Sequence, residues 1–275
     1  MPELPEVQTT VNGLQQKVRN RAFVDVWSDW EKTVKFPRRF TDFKKQLKGK
    51  KILRVWRRAK NVVFELSGGY SLLIHMKMTG HILVEPWQED RMNGFLHLKF
   101  TLDDGRVMAL SDMRKFAKVE LQKTDELLQL FEVLGPEPLE KSFAFEKFQA
   151  LFKNKRGKVK QVIMDPAFIA GIGNIYASEA LWEAKIHPLK DVSQLGKKEL
   201  QSLYKAIRKV LALGVEFGGD SFSDYRDVEG KKGKFEGKKR VYQRTGEKCF
   251  RCKANIVRLV VAARSAFFCP NCQKL

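Results

Sequence analysis

The sequence predicts an α+β fold in several domains. A helix and an all-β domain come first, a helical domain next, and a cysteine-bearing β-hairpin last. Three observations predict it. The spacing of apolar residues is helical at the start, strand-like from about residue 22 to 121, and helical again beyond residue 140. A breaker, Leu134-Gly135-Pro136-Glu137-Pro138-Leu139, separates the second regime from the third. Four cysteines close the chain in two C-x2-C pairs.

Val7, Val11, Leu14 and Val18 recur at helical spacing, so residues 3–19 form one amphipathic helix. Short runs rich in Val, Ile, Leu and Phe follow at 52–56, 62–66, 71–76 and 95–102. Turn residues part them at Ser67-Gly68-Gly69 and Asp103-Asp104-Gly105, the pattern of a sandwich or flattened barrel. Beyond the breaker, 143–152, 159–164, 174–182 and 197–213 read as helices. In the last, Leu200, Leu203, Tyr204, Ile207, Val210 and Leu211 make one apolar stripe, which Gly218-Gly219 ends. A charged loop follows, with six Lys or Arg and one Glu in 231–240. The domains are 1–134, a hinge at 135–139, 140–240 and 241–275.

The 275 residues hold Lys+Arg 52 against Asp+Glu 32, a formal charge of +20. Such an excess predicts a polyanionic partner, nucleic acid first, with RNA or an acidic membrane surface also fitting on charge alone. No window reaches the roughly 18 consecutive apolar residues of a membrane span. The opening MPELPEV is neither basic nor apolar, so no signal peptide is expected and the expected home is the cytoplasm.

The cysteines fall as Cys249-x2-Cys252, sixteen residues, then Cys269-x2-Cys272. Each pair can wrap half a tetrahedron, so the spacing predicts one structural zinc with no open position. Two disulfides are the alternative, disfavoured in a reducing compartment. Between the pairs, 256–261 and 266–268 read as strands around a turn at 262–265, with Arg264 at the tip.

The acidic start stands apart from the basic chain. Removal of Met1 leaves Pro2 as a secondary amine, and an α-amine has a pKa of ~8. Amines attack aldehyde carbons, and a secondary amine gives an iminium that keeps its charge as an electron sink. Glu3 is adjacent and Glu6 lies one helical turn on, so two carboxylates could divide acid and base work beside the nucleophile. The bland alternative is two carboxylates complementing a helix N-terminus.

These features recur in order with Arg57-Arg58-Ala59-Lys60, His75-Met76-Lys77-Met78-Thr79-Gly80, Asp112-Met113-Arg114-Lys115-Phe116 and Gly171-Ile172-Gly173-Asn174-Ile175-Tyr176. Over essentially its whole length the chain resembles the bacterial formamidopyrimidine-DNA glycosylase family, which removes oxidised purines. Leu4 separates it from the sister endonuclease VIII family, which usually has Gly there and prefers oxidised pyrimidines.

The resemblance implies a helix on a β-sandwich, a hinge, a helix–two-turns–helix domain with a lesion-capping loop, and a zinc-ribbon hairpin. It also implies roles. Pro2 is the nucleophile on the sugar carbon bearing the damaged base, Glu3 the acid for the ring oxygen, and Glu6 orders the centre near Asn174. Lys60 joins Pro2, Glu3 and Glu6 among the catalytic residues by holding a phosphate beside the lesion, and His75, Lys160, Asn174, Tyr242 and Arg264 also contact DNA. Met78, Arg114 and Phe116 fill the gap left by an extruded base, and Ser221 and Tyr225 belong to the lesion loop. The partner is double-stranded DNA with oxidised purines or abasic sites, bound by a monomer on the bacterial nucleoid, with Zn2+ on Cys249, Cys252, Cys269 and Cys272. A bifunctional glycosylase with β,δ-lyase activity follows. A pyrimidine-lesion enzyme and a silent DNA-binding protein are the competing readings. Four departures from the family pattern stand out: Ala117, Ala263 before Arg264, Pro166, and the loop Gly218-Gly219-Asp220-Ser221-Phe222-Ser223-Asp224-Tyr225.

Overall fold

The structure is a computed structural model and describes residues 1–221 and 224–275. It divides into two compact units, Met1–Glu132 with Val215–Glu236, and Val133–Gly214 with Gly237–Leu275.

In the first unit α1 (Leu4–Lys17) precedes two sheets. One contains β1 (Phe23–Ser28), β7 (Leu96–Leu102), β8 (Val107–Ser111) and β6 (His81–Val84), in that order. The other runs β2 (Val34–Phe36), β9 (Lys118–Lys123), β5 (Tyr70–His75), β4 (Asn61–Leu66) and β3 (Ile52–Arg58). Two short helices, α2 (Phe40–Leu47) and α3 (Thr124–Leu130), complete the unit. One apolar core joins α1, α2 and both sheets: Val7, Val11 and Leu14 of α1, Phe43 and Leu47 of α2, Phe23, Phe100 and Leu110 of the first sheet, and Phe64, Ile74 and Val119 of the second. The predicted helix and β-sandwich are therefore one body, with the apolar stripe of α1 as part of the filling.

Val215–Glu236 packs in this unit, whereas the sequence reading attached it to the helical domain. The reason is strand-like pairing at long range. Val84 N–H donates to Val228 O at 2.9 Å and Gln88 N–H to Glu229 O at 2.8 Å. Val228 enters the core over Gly13, where any β-carbon would collide with its methyl groups.

The second unit is helical: α4 (Phe145–Leu151), α5 (Val159–Ile163), α6 (Asn174–Ala184) and most of α7 (Lys197–Glu216). Phe143, Phe148, Phe152, Phe168 and Tyr204 stack in its interior. The breaker region packs backbone to backbone. Gly135 N–H donates to Pro166 O at 2.9 Å, and a β-carbon on Gly135 would lie 2.6 Å from the Phe168 backbone. Pro166 needs no N–H there, only its carbonyl.

The unit ends in a hairpin of β10 (Val257–Val261) and β11 (Arg264–Phe268). Val261 pairs with Arg264, so the turn is two residues long, and Arg264 and Ser265 belong to the strand rather than to the predicted four-residue turn. Such a turn needs positive φ at both central residues, and Ala262 and Ala263 have φ 47° and 60°. Alanine in this region costs about 1–2 kcal/mol that glycine avoids. Ala263→Gly is expected to stabilise the hairpin, by roughly 0.5–1 kcal/mol after the unfolded-chain entropy of glycine is subtracted. Ala263→Val should do the opposite. Zinc retention under chelator challenge reads both, and equal retention in all three proteins would mean the turn carries no strain.

Candidate active site and nucleic-acid interface

The first unit carries the N-terminal chemistry. Pro2 is buried, and Glu3 caps α1 with an extended backbone. Glu3 and Glu6 form a reciprocal capping box: the Glu3 carboxylate accepts the Glu6 N–H, and Glu6 Oε2 accepts the Glu3 N–H at 2.7 Å. The bland expectation for these acids is thus met locally, but burial goes further. Glu3 is 2 % exposed and Glu6 1 %. Glu6 Oε1 also accepts the Asp220 N–H at 2.7 Å, and its backbone carbonyl accepts the Tyr225 hydroxyl at 2.9 Å. Gly219 makes this approach feasible: at φ 83°, any β-carbon there would sit 2.8 Å from the Glu6 side chain.

Ser221 and Tyr225 are the two lesion-loop residues named from sequence. Both are buried anchors. Ser221 Oγ accepts the Gly233 N–H at 2.8 Å, and Tyr225 lies against α1, between Glu6 and Thr10. Burial drives the Tyr225 phenol far up, so it stays protonated and donating. Of the three residues between them that the sequence reading placed in the same loop, Phe222 and Ser223 lie outside the described residues.

Lys60 sits in the two-residue connection of β3 and β4, which Arg57 Nη1 and Asn61 Nδ2 fix through the carbonyls of Ala59 and Arg58. His75 ends β5. Burial, then the charges of Lys77 and Lys60, push it down to about 4, so it is neutral at pH 7. Its Nδ1 accepts the Lys77 N–H at 3.0 Å, which leaves Nε2 as the ring's N–H donor.

Met78, Arg114 and Phe116 are already assembled. Met78 and Phe116 are 42 % and 48 % exposed, high for large apolar side chains. The Arg114 guanidinium lies 4.6 Å from the Phe116 ring centroid and donates to Met78 Sδ at 3.3 Å. Sequence reasoning assigned no role to the residue beneath them. Asp112 is buried, accepts the Thr79 hydroxyl and the Ala117 N–H at 2.7 Å, and so joins the two loops. A small acid directly before Met-Arg was the available signal. Ala117, where the family usually has Gly, supplies its N–H to Asp112 and packs its methyl in the apolar core without positive φ.

The second unit carries Lys160, Asn174, Tyr242, Arg264 and the cysteines. Asn174 opens α6 behind Gly173, and its buried Oδ1 has no hydrogen-bond partner among the described residues. Arg264 is exposed at the hairpin tip beside a cavity of about 440 Å³, also lined by Lys155, Arg156 and Gln161. Lys160, named from sequence as a DNA contact, is held from inside the unit. It is 1 % exposed, and its ammonium donates to Ser265 O at 2.6 Å and Ser178 Oγ at 3.2 Å. It therefore pins β11 to α6. Glu179, which the motifs did not single out, does the same for Tyr242. Its buried carboxylate accepts the N–H groups of Arg240, Val241 and Tyr242 at 2.8, 3.0 and 2.8 Å. Burial raises its pKa, and those three donors oppose the rise. A lone acid inside the apolar stretch Ala177-Ser178-Glu179-Ala180-Leu181-Trp182 was the signal.

The four cysteine sulfurs lie within 4.8 Å of one another, with no disulfide. A tetrahedral ion with Zn–S bonds of ~2.3 Å needs sulfurs about 3.8 Å apart. Two edges measure 4.0 Å (Cys249–Cys272) and 3.4 Å (Cys252–Cys269), so the donor set fits one Zn2+. A hydrogen bond from Asn271 and the Ala254 N–H pull Cys252 down to about 6, whereas burial and the neighbouring sulfurs push Cys272 up to about 12. Four thiolates this close need a cation between them.

Backbone strain marks the same places. Among the described residues, ten non-glycine residues have positive φ. Ala59 precedes Lys60, Lys77 precedes Met78, Lys115 lies between Arg114 and Phe116, Gln243 follows Tyr242, and Ala262-Ala263 precede Arg264. Their φ values run from 47° to 60°. Left-handed backbone at residues with a β-carbon collects where a side chain must be aimed.

Fold and site define a class: a two-unit α+β chain with an N-terminal helix opened by two buried carboxylates, exposed Met78 and Phe116 beside Arg114, and a four-cysteine hairpin whose donor set fits zinc. The comparisons name it. The Formamidopyrimidine-DNA glycosylase N-terminal domain matches residues 1–119, the H2TH domain of the same family 134–226, and the zinc finger found in FPG and IleRS 246–275. Formamidopyrimidine-DNA glycosylase of Chloroflexus aggregans is 41% identical over 277 residues, covering 100% of this chain and 99% of that protein. That of Herpetosiphon aurantiacus is 40% identical, covering 99% and 100%. A variant of Lactococcus lactis FPG bound to Fapy-dG-containing DNA superposes with a TM-score of 0.90 at 33% identity, covering 100% of both chains. The Lactococcus lactis enzyme with abasic-site DNA gives 0.89 at 32%, covering 99% and 100%. The chain belongs to the formamidopyrimidine-DNA glycosylase family.

Proposed function

We propose that this protein is a bifunctional DNA glycosylase and AP lyase of base excision repair, acting on oxidised purines in duplex DNA. The observation that carries the reading is the buried start of α1: Pro2 next to Glu3 and Glu6, two carboxylates held in place by each other. After loss of Met1, the Pro2 nitrogen attacks the sugar carbon bearing the base. The bond to the base breaks and Glu3 protonates the ring oxygen as the ring opens. The product is an iminium, whose charge acidifies the neighbouring sugar carbon. Loss of that proton expels one phosphate, and a second elimination expels the other. Glu6 takes no proton in this scheme; it holds Glu3 and the Asp220 backbone in register. Zinc supplies no chemistry to these steps and holds the hairpin that presents Arg264. The bacterial relatives and the basic surface support a cytoplasmic, nucleoid-bound monomer.

Borohydride reduction in the presence of abasic-site DNA tests the reading. A covalent adduct on the N-terminal peptide is expected. Tight DNA binding with no adduct would leave a silent binding protein instead.

Lys60 and Arg264 act through phosphates in this reading. Log affinity should fall with log salt, and Lys60→Ala or Arg264→Ala should each flatten the slope by about one unit. An unchanged slope would place these side chains off the backbone.

Arg114 reads the base opposite the lesion. Its guanidinium has donors only. An orphaned cytosine offers two adjacent acceptors, O2 and N3, whereas adenine sets a donor beside its one acceptor. A bidentate contact is worth ~1–3 kcal/mol of discrimination, roughly ten- to a hundredfold. Single-turnover excision of 8-oxoguanine should be faster opposite cytosine by that factor, and Arg114→Ala should narrow the gap. Equal wild-type rates would assign the opposite strand to another residue.

A further inference from the structure

The loop that carries Arg114 and Phe116 is braced by a residue that no motif assigns. Lys115 stands between the two, and its φ of 56° is a conformation disfavoured for any residue with a β-carbon. Its backbone N–H donates to Asp112 O at 3.0 Å. Its ammonium lies over the indole of Trp30, 4.8 Å from the ring centroid. Lys32 approaches the same ring at 5.2 Å. Trp30 is itself held, because its N–H donates to Ser28 Oγ at 3.0 Å, and Ser28 Oγ donates to His97 O on β7 at 2.6 Å. A chain of contacts therefore runs from the first sheet through Trp30 to the left-handed residue that sets the directions of Arg114 and Phe116.

We propose that Trp30 is a positioning residue for discrimination of the base opposite the lesion. Through Lys115 it holds the loop in the one backbone state that points the Arg114 guanidinium and the Phe116 ring the same way. The proposal rests on the reading that Arg114 contacts the orphaned base. Lys115 as a simple phosphate contact would change affinity equally for both opposing bases, because phosphate contacts carry no sequence information. The brace instead changes the ratio between them.

The test is single-turnover excision of 8-oxoguanine opposite cytosine and opposite adenine. The proteins are the full-length wild type, Trp30→Ala, Trp30→Phe, Lys115→Met, the Trp30→Ala/Lys115→Met double variant and Arg114→Ala. Trp30→Ala and Lys115→Met should each lower the cytosine-over-adenine ratio about two- to fivefold, the range an exposed cation–π contact converts to. The double variant should lose no more than either single one, and Trp30→Phe, which keeps an aromatic face, should retain most of the ratio. Borohydride trapping on abasic DNA should be unchanged in all the Trp30 and Lys115 variants, which separates a displaced loop from a damaged fold. A ratio untouched by Trp30→Ala and Lys115→Met, while Arg114→Ala lowers it, would overturn the brace alone. So would additive losses in the double variant. A ratio that Arg114→Ala leaves unchanged would overturn the base-reading role and the brace with it.

Discussion

Protein that retains Met1 is expected to give no borohydride-trapped adduct with abasic DNA, while the processed protein is trapped efficiently. In the retained form the Pro2 nitrogen is an amide, and resonance with the Met1 carbonyl removes its lone pair. Met1 is exposed and the Glu3–Glu6 capping box is formed with Met1 in place, so retention alters the amine and leaves the two acids where they are. Trapping should fall to background, the largest effect any single change to this chain should produce. Pro2→Gly keeps a terminal amine, so partial lyase activity is expected. Its imine can lose an N–H proton, so it is the weaker electron sink. Glu3→Gln should slow excision of the damaged base by roughly 10²–10⁴-fold, the usual contribution of a positioned acid. It should leave trapping on preformed abasic sites largely intact, since those sites carry an aldehyde already. Peptide mapping of the reduced adduct decides the matter. Full trapping with Met1 in place, or an adduct mapped to a lysine, would remove Pro2 from the mechanism.

Stripping the metal should have an effect nearly as large. The hairpin's own core is small: Trp182, Val241, Ile256 and Phe267 are buried with Cys249 and Cys269, and Cys252 and Cys272 pack alongside. Four of the contributors are thus the ligands themselves. Structural zinc contributes about 10–16 kcal/mol in small zinc modules, so a hairpin this short should not stay folded without it. A strong chelator, or Cys252→Ser with Cys272→Ser, should unfold 246–275, expose it to protease, and take Arg264 out of the interface. DNA binding should collapse while the thermal transition of the β-sandwich unit persists, because its core contains no residue of the hairpin. Full binding in zinc-free protein would mean that the hairpin stands without the ion.

Much of the fold was legible because it rests on local periodicity. The helix predicted at 3–19 spans Leu4–Lys17, and the strands predicted at 62–66 and 71–76 span Asn61–Leu66 and Tyr70–His75. What was not legible lies where local signals compete with distant partners. The hairpin turn shrank from four residues to two because Val261 pairs with Arg264 through two strained alanines, a geometry alanine does not advertise. Lys160 is named from sequence only as a DNA contact, and its partners Ser265 and Ser178, which draw the ammonium inside, carry no signal in the sequence. Tyr225 is named only as part of the lesion loop, and the bond from its hydroxyl to the carbonyl of Glu6 could not be read from local spacing.

The sequence by itself determined the chemical inventory: a secondary amine behind one residue, two acids on one helical turn, two C-x2-C pairs, and a large positive excess. Each is a property of composition or of spacing within a few residues, so no fold is needed to read it. Only the tertiary structure decided which of those groups are held, and by what. Glu6 reaches across 214 positions to the Asp220 N–H, Tyr225 across 219 to Glu6, and Glu179 across more than sixty to the backbone that carries Tyr242. Buried polar groups must find partners, and in a folded chain the partner is fixed by packing rather than by order along the sequence.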